Sequence, residues 1–275
     1  MATLTTALPA LDTEYALSAE QIASFREKGH VLLRGVATAD EIGAYRAVIN
    51  DAVRRLNKET RPLEERDTYG KAFLQIMNLW LDDEAVRGFV FARRFAKIAA
   101  DLVGVDAIRL YHDQALFKEA HGGHTPWHQD QYYWPLDTPN TLTMWMPLVD
   151  ISPEMGAMMF ASGSHRRDYR ADIGISDESE DQLRRLVEES HLPVSQTPAM
   201  QAGDATFHYG WTLHAAPGNA TGRMREVMTI IYFADGARVI RPDNANRQAD
   251  LEWWLPGMKP GDLAASPLNP VLYSR

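Results

Sequence analysis

The stretch HTPWHQDQYYWPLDT, residues 124–138, sets two histidines, two aspartates and four aromatic rings within fifteen residues. At its centre His128 and Asp130 stand two apart. Residues i and i+2 of a strand point to one face, so a strand over 126–134 would present the imidazole and the carboxylate side by side. Such a pair suits Fe(II), Mn(II) or Zn(II) and calls for a third protein ligand. Taken alone, His-x-Asp is weak evidence for metal and is more often a histidine hydrogen-bonded to a carboxylate on a surface strand. A third ligand is available in FHYGWTLHAAPGN: His214 is the first choice and His208, six residues earlier, the second. If the strand continues, Tyr132 and Trp134 face the same way as the ligands. They then either line a pocket for an apolar or planar molecule or fill the interior.

The composition narrows what else this chemistry can be. The chain has 275 residues and no cysteine, which excludes disulfides, thiolate zinc sites, iron–sulfur clusters and cysteine nucleophiles. Any metal therefore sits on histidine and carboxylate. A formal charge of -9, with no cluster of lysine or arginine, argues against nucleic acid as a partner. The balance of 45% hydrophobic and 24% charged residues is that of a soluble globular protein. No apolar run approaches the roughly 20 residues of a membrane span. The opening MATLTTALPALDTEYAL has neither the basic and apolar regions of a secretion signal nor the arginines of a transit peptide, so the cytoplasm is the expected compartment.

The elements that must position these residues fall into two textures. Residues 1–105 read as mostly helical. Ser18 to Gln21 and Thr38 to Glu41 are capping boxes, and Gly29 is placed to stop the first helix before a short strand from His30 to Arg34. Ile42, Tyr45, Ile49, Ala52, Val53 and Leu56 make one apolar stripe, and a further helix is expected from Asp83 to Leu102, closed by Gly104. From 106 to 235 the chain turns to short β-prone segments separated by Gly, Pro and Asn, the pattern of an antiparallel sandwich or barrel. Strands are expected near 107–118, 126–134, 141–150, 156–162, 204–209, 211–216 and 225–235. An insertion at 168–203 carries the acidic segment 174–192, in which Ser179 to Gln182 is placed to cap a helix bearing Leu183, Leu186 and Val187. It reads as a lid or surface flap. Residues 236–275 form a C-terminal extension with adjacent Trp253 and Trp254, fit to close a pocket mouth or to contact a second copy of the chain in a homo-oligomer. No long linker divides the chain, and it reads as one domain.

The combination of HQD at 128–130, LHAAPGN at 213–219 and Arg225 eleven residues after His214 resembles the phytanoyl-CoA dioxygenase family of Fe(II)/2-oxoglutarate oxygenases. The resemblance covers about residues 106–235, with the amino-terminal strand and helices in the same style. It implies a mainly β fold with flanking α: a double-stranded β-helix, a jelly-roll or cupin-like barrel, with the N-terminal helices packed outside. It implies that His128, Asp130 and His214 hold iron and that 2-oxoglutarate and dioxygen take the remaining sites. Hydroxylation of an unactivated C–H bond of a small organic metabolite, with release of succinate and CO2, would follow. Arg225 would pair with the distal carboxylate of 2-oxoglutarate, for which guanidinium is the apt partner in a dry barrel; Arg223 is its nearest rival. Gln114 and Lys118, in DAIRLYHDQALFK, and Trp145 match positions at which the family contacts 2-oxoglutarate. His112 shares the face of Gln114. Two residues after the distal histidine the family often has a hydroxyl, and here the position is Ala216.

The retained carboxylate at Asp130 favours hydroxylation over halogenation, which uses a small residue there. Desaturation, cyclisation or epoxidation would use the same ligands. The alternative from a different class is a non-catalytic cupin-like protein that binds a metal or a small molecule; Arg225 and Lys118 speak against it, since a plain metal binder needs no dicarboxylate anchor. Among the remaining histidines, His165 resembles a structural turn residue of the family, and His121 and His124 lie in a glycine-containing loop.

Overall fold

The computed structural model describes residues 7–166 and 169–275; the first residue of the expected insertion, 168, lies outside them. Both amino-terminal capping boxes form. Ser18 and Gln21 cap α1 (Ala19–Lys28), and Thr38 and Glu41 cap α2 (Ala39–Leu56). Gly29 ends α1 at φ 85°, where a Cβ would meet the His165 ring at 2.4 Å, so the turn into β1 (His30–Leu33) requires glycine.

A short helix α3 (Thr68–Ala72), strand β2 (Leu74–Met77) and helix α4 (Leu79–Asp82) follow. The single helix expected over 83–102 is two, α5 (Glu84–Val90) and α6 (Arg93–Val103), with Asp83 capping the first and Gly104 ending the second. The break at Phe91 and Ala92 lets the two segments bury separate apolar faces.

The β region comprises β3 (Ala107–Phe117), β4 (Thr125–His128), β5 (Thr141–Pro147), β6 (Met159–Ala161), β7 (Val194–Gln196), β8 (Ala205–Tyr209), β9 (His214–Ala216) and β10 (Val227–Ala234). Helix α7 (Asp177–Glu189) lies between β6 and β7, while α8 (Ala245–Trp254) and β11 (Val271–Ser274) close the chain. All pairings are antiparallel and form two sheets. The larger runs β1-β8-β5-β10-β3-β11 with β2 beside β3; the smaller runs β4-β9-β6-β7. Trp145 and Val227 of the large sheet pack with Phe160 and Ala216 of the small one, so the sheets face each other as in a jelly roll, and among the described residues no strand pairs close the barrel.

Period-two alternation sorts the large sheet's side chains. Leu142, Met144 and Met146 of β5 and Met228, Ile230 and Tyr232 of β10 face α1, α2, α5 and α6, where they join Phe25, Ile49, Phe89 and Phe95 in the main core. The alternate residues Thr143, Trp145, Thr229 and Ile231 face the small sheet and line a pocket. In β3 a bulge opposite Ile231 and Tyr232 resets the alternation, which keeps Leu110 in the helix-facing core yet turns His112, Gln114 and Leu116 inward.

Two expectations need correction here. The strand at 126–134 stops at His128, and Asp130–Tyr132 is one turn of 3-10 helix, because Tyr132 and Tyr133 bond back to Gln129 and Asp130. Helix α7 starts earlier than Ser179: Ser176 is the cap and Ser179 completes the box. Its Leu183 and Val187 are buried against Trp127, Leu213 and Ala215, and Glu180 accepts a hydrogen bond from the Trp127 amide, so α7 is an outer layer on the small sheet. No helix among the described residues is long and apolar enough to cross a membrane.

Candidate active site

His128 ends β4, and its register partner across β9 is His214. Pairing thus brings the two imidazoles together, with ring centroids 4.0 Å apart. Asp130 reaches them from the turn that follows β4: its Oδ1 stands 3.5 Å from His128 Nε2 and 3.6 Å from His214 Nε2. The three side chains offer ligand atoms within 4.8 Å of one another. It is the strand end and the turn, not a shared strand face, that unite the pair at 128 and 130.

Both ring orientations are fixed from behind. His128 Nδ1 lies 2.8 Å from the Pro126 carbonyl and His214 Nδ1 2.9 Å from the Thr212 carbonyl. A carbonyl only accepts, so each Nδ1 carries the proton and each Nε2 presents a bare lone pair toward Asp130. Burial works to raise the Asp130 carboxyl, but the polar groups around it, with Thr143 Oγ1 and His208 Nε2 at its Oδ2, hold it well below the usual range. Burial and then His128 and His208 push the His214 imidazole well below its ordinary value, which keeps it neutral. Two imidazoles whose Nε2 atoms face one carboxylate make a donor set that fits Fe(II).

His208, the second choice for a ligand, is held differently. Its Nε2 lies 3.3 Å from Asp130 Oδ2, which also accepts a bond of 2.8 Å from Thr143 Oγ1. To donate there, Nε2 must bear the proton, which leaves no lone pair on that atom for a metal.

The same pocket contains Arg225, 2% exposed, whose Nη1 donates to the Gly156 carbonyl and whose Nε has no partner among the described residues. Its guanidinium carbon lies 5.2 Å from the Trp145 ring centroid, also on the pocket wall. Burial alone draws the guanidinium down to about 9, the sign of a buried cation without an anion. Gly156 adopts φ 81°, and a Cβ there would meet the Pro217 carbonyl at 2.6 Å, so glycine lets this loop supply the contact to Arg225.

Gln114 reaches the pocket and accepts a bond from Gln75. His112 reaches it as well, a buried imidazole pushed down to about 3, chiefly by desolvation. Lys118 is fully buried beside Arg225, with which its backbone pairs, but its ammonium donates to the Gly123 carbonyl and sits 3.5 Å from Thr125 Oγ1. It supports the wall from behind, with Thr125 between it and the pocket. Burial, then Arg225, draws it down to about 6. Trp134 lines the pocket, whereas Tyr132 does not: the 3-10 turn shifts the phase, and Tyr133 takes the place expected for it. Arg223 lies outside the lining, its guanidinium 3.8 Å from Met155 Sδ. Ala216 and Ala215 are on the wall.

The remaining lining was not legible in the sequence. Tyr69, Phe73, Gln75 and Met77 come from the helical third, Ile175 from the segment leading into α7, and Asp250 from α8. For most of these no sequence signal exists, since their role depends on where distant segments dock. Asp250 lies on the buried side of α8 with Arg247 and Leu251.

Comparison with known proteins agrees with this geometry. The family model described as phytanoyl-CoA dioxygenase matches residues 25–227. A probable alpha-ketoglutarate-dependent hypophosphite dioxygenase of Stutzerimonas stutzeri is 24% identical over 233 residues, 80% of this chain and 79% of the relative. The crystal structure of the non-heme alpha ketoglutarate dependent carbocyclase SnoK from nogalamycin biosynthesis superposes with a TM-score of 0.77 at 26% identity, covering 93% of this chain and 96% of that one. The epimerase SnoN in complex with Fe3+, alpha ketoglutarate and nogalamycin RO gives a TM-score of 0.73 at 27% identity, covering 92% and 97%. With the family match running over most of its length, the chain belongs to the phytanoyl-CoA dioxygenase family and is an Fe(II)- and 2-oxoglutarate-dependent dioxygenase.

Proposed function

We propose that this dioxygenase hydroxylates an unactivated C–H bond of a small organic molecule, with His128 Nε2, His214 Nε2 and an oxygen of Asp130 holding the iron and Arg225 receiving the distal carboxylate of 2-oxoglutarate. The observation that carries this reading is the convergence, in one pocket, of two backbone-oriented imidazoles, a carboxylate and a buried guanidinium without an anion. Iron bound there supplies, with 2-oxoglutarate and dioxygen, an oxidant for unreactive C–H bonds, 2-oxoglutarate leaving as succinate and CO2.

The chain's own residues do the rest. The Pro126 and Thr212 carbonyls keep both imidazoles in the tautomer that can bind metal. Thr143 and His208 hold Asp130 Oδ2, which leaves Oδ1 toward the histidines. Arg225, backed by Trp145, offers a bidentate cation in a buried site where an unpaired carboxylate would be costly. Gln114 and Thr229 add polar groups to the same wall. Trp134, Tyr133 and Phe73 exclude water from the rest of the pocket and suit an apolar body. Among the described residues no basic cradle for the phosphates of an acyl-CoA lines this pocket.

A second outcome is supported by the likeness to a carbocyclase: hydrogen removal followed by ring closure within the substrate. One experiment tests both. The iron-loaded protein is incubated with 2-oxoglutarate, labelled dioxygen and a metabolite extract. Succinate release with label in the product is expected for hydroxylation, and a product two hydrogens lighter and without label for ring closure. Failure to bind or consume 2-oxoglutarate would overturn the reading in favour of a cupin-like binder.

A further inference from the structure

On the pocket wall contributed by α8 lies an acid that the oxidation chemistry does not use. Asp250 is 9% exposed and lines the pocket that contains His128, Asp130 and His214. Its Oδ2 accepts a bond of 2.8 Å from the Tyr111 hydroxyl. Among the described residues it takes part in no ion pair: Arg247, one turn earlier on α8, is paired with Asp243 instead. His112, on the same part of the wall, packs its ring 5.1 Å from Trp254 and is held neutral by burial. Desolvation pushes the Asp250 carboxyl up to about 7, as for an acid lodged in an apolar wall without a cation.

That wall is aromatic. Trp134 and Tyr111 have ring centroids 5.5 Å apart and share one apolar cluster with Tyr133, Leu251 and Trp254, while Tyr69 and Phe73 line the same pocket from the α3 segment. A carboxylate among ring faces is the environment that receives an alkylammonium group: the charge is met by the acid, and its methyl or methylene groups lie on the rings. Burying Asp250 without such a group is unfavourable, because a carboxylate without a cation loses its hydration and gains only the Tyr111 hydroxyl and the Trp254 indole N–H in return.

We propose that Asp250, with the rings of Tyr69, Phe73, Tyr133 and Trp134, forms a subsite for a protonated amine, so that the substrate is a small molecule with a basic nitrogen attached to an apolar or aromatic body. The proposal rests on the reading of this pocket as the oxygenase's substrate site. The acid anchors the nitrogen away from the three metal-binding side chains and presents another part of the molecule to them.

The test is a calorimetric titration of the full chain, loaded with Ni(II) and 2-oxoglutarate. The probes are naphthyl, phenyl and cyclohexyl dimethylaminomethyl compounds, each paired with the isobutyl compound that replaces the nitrogen by carbon. At pH 8 at least one amine is expected to bind about 10- to 100-fold more tightly than its carbon counterpart, and Asp250→Asn to abolish that preference while the carbon compounds bind as before. Asn keeps an acceptor for Tyr111, and a melting curve reports whether the variant folds. If it does not, the comparison of amine with carbon counterpart on the unaltered protein decides alone. An absence of amine preference across the panel, or a preference that survives in Asp250→Asn, would overturn the subsite. Failure of the oxygenase reading would show itself separately, as no succinate release from the Fe(II)-loaded protein whatever the amine binding.

Discussion

His208 Nε2 lies 3.3 Å from Asp130 Oδ2, whereas the carboxylate oxygen facing both His128 and His214 is Oδ1. His208 is the register partner of Thr143 across β8 and β5, and Thr143 Oγ1 grips the same Oδ2 at 2.8 Å. One cross-strand pair of the large sheet thereby aims a carboxylate that belongs to a turn of the other sheet. Outer partners of this kind commonly set metal affinity by about 10- to 100-fold. His208→Ala is therefore expected to weaken Fe(II) binding by about that factor, with Thr143→Ala acting in the same direction. Titration of the metal-free protein with Fe(II) under anaerobic conditions checks it, and unaltered affinity in both variants would remove this role.

Asp130→Ala deletes one donor of the three and leaves two imidazoles. Stoichiometric iron loading should be lost, and succinate release should fall to background. Metal content after desalting, with turnover on the same sample, measures both. Wild-type turnover in this variant would contradict the assignment of Asp130 as a ligand.

Arg225→Ala removes the buried cation that stands without an anion. A charge-assisted hydrogen-bonded pair contributes about 1.5–3 kcal/mol, so 2-oxoglutarate affinity should fall about 10- to 150-fold. A 2-oxo acid that lacks the distal carboxylate should bind the wild type and the variant alike. Equal loss for both ligands would point to a damaged fold rather than a lost anchor.

Asp113 accepts the backbone amides of Leu79 and Trp80 from a fully buried position, and desolvation pushes its carboxyl up to about 7. A carboxyl that holds its proton more tightly when folded stabilises the protein below its unfolded value, about pH 4, and loses that contribution as pH rises through about 7. Asp113→Asn lacks this titration. Its stability relative to wild type should therefore rise from pH 4 to pH 8, as read from denaturant midpoints at each pH. A constant difference would show that Asp113 titrates at an ordinary value.

The sequence by itself determined the residue types of the metal site. His128, Asp130 and His214 are candidates because metal chemistry restricts ligands to a few side chains and the chain has no cysteine to compete. The family resemblance, not the His-x-Asp pair alone, singles out the three that the fold brings within 4.8 Å of one another. The sequence also determined both amino-terminal capping boxes, which are local: a hydroxyl and an acid or amide three residues apart need only one helical turn to meet. Arg225 is singled out by its spacing from His214 in the family resemblance, and the fold places it, buried, on the wall of the same pocket.

Tertiary structure alone decided how these groups meet. The end of β4 at His128 and the turn at Asp130–Tyr132 replaced a continuous strand, since back-bonding to Gln129 and Asp130 outweighed the local β preference of the tyrosines. That turn exchanged Tyr132 for Tyr133 on the pocket wall. A bulge in β3 turned His112 inward, and the docking of α3 and α8 supplied Tyr69, Phe73 and Asp250. Side-chain phase in a sheet depends on every bulge and strand end before it, and the packing of distant helices leaves no period in the sequence. The chemistry was therefore written in residue types, while the shape of the pocket, and with it the choice of substrate, was set by contacts between segments far apart in the chain.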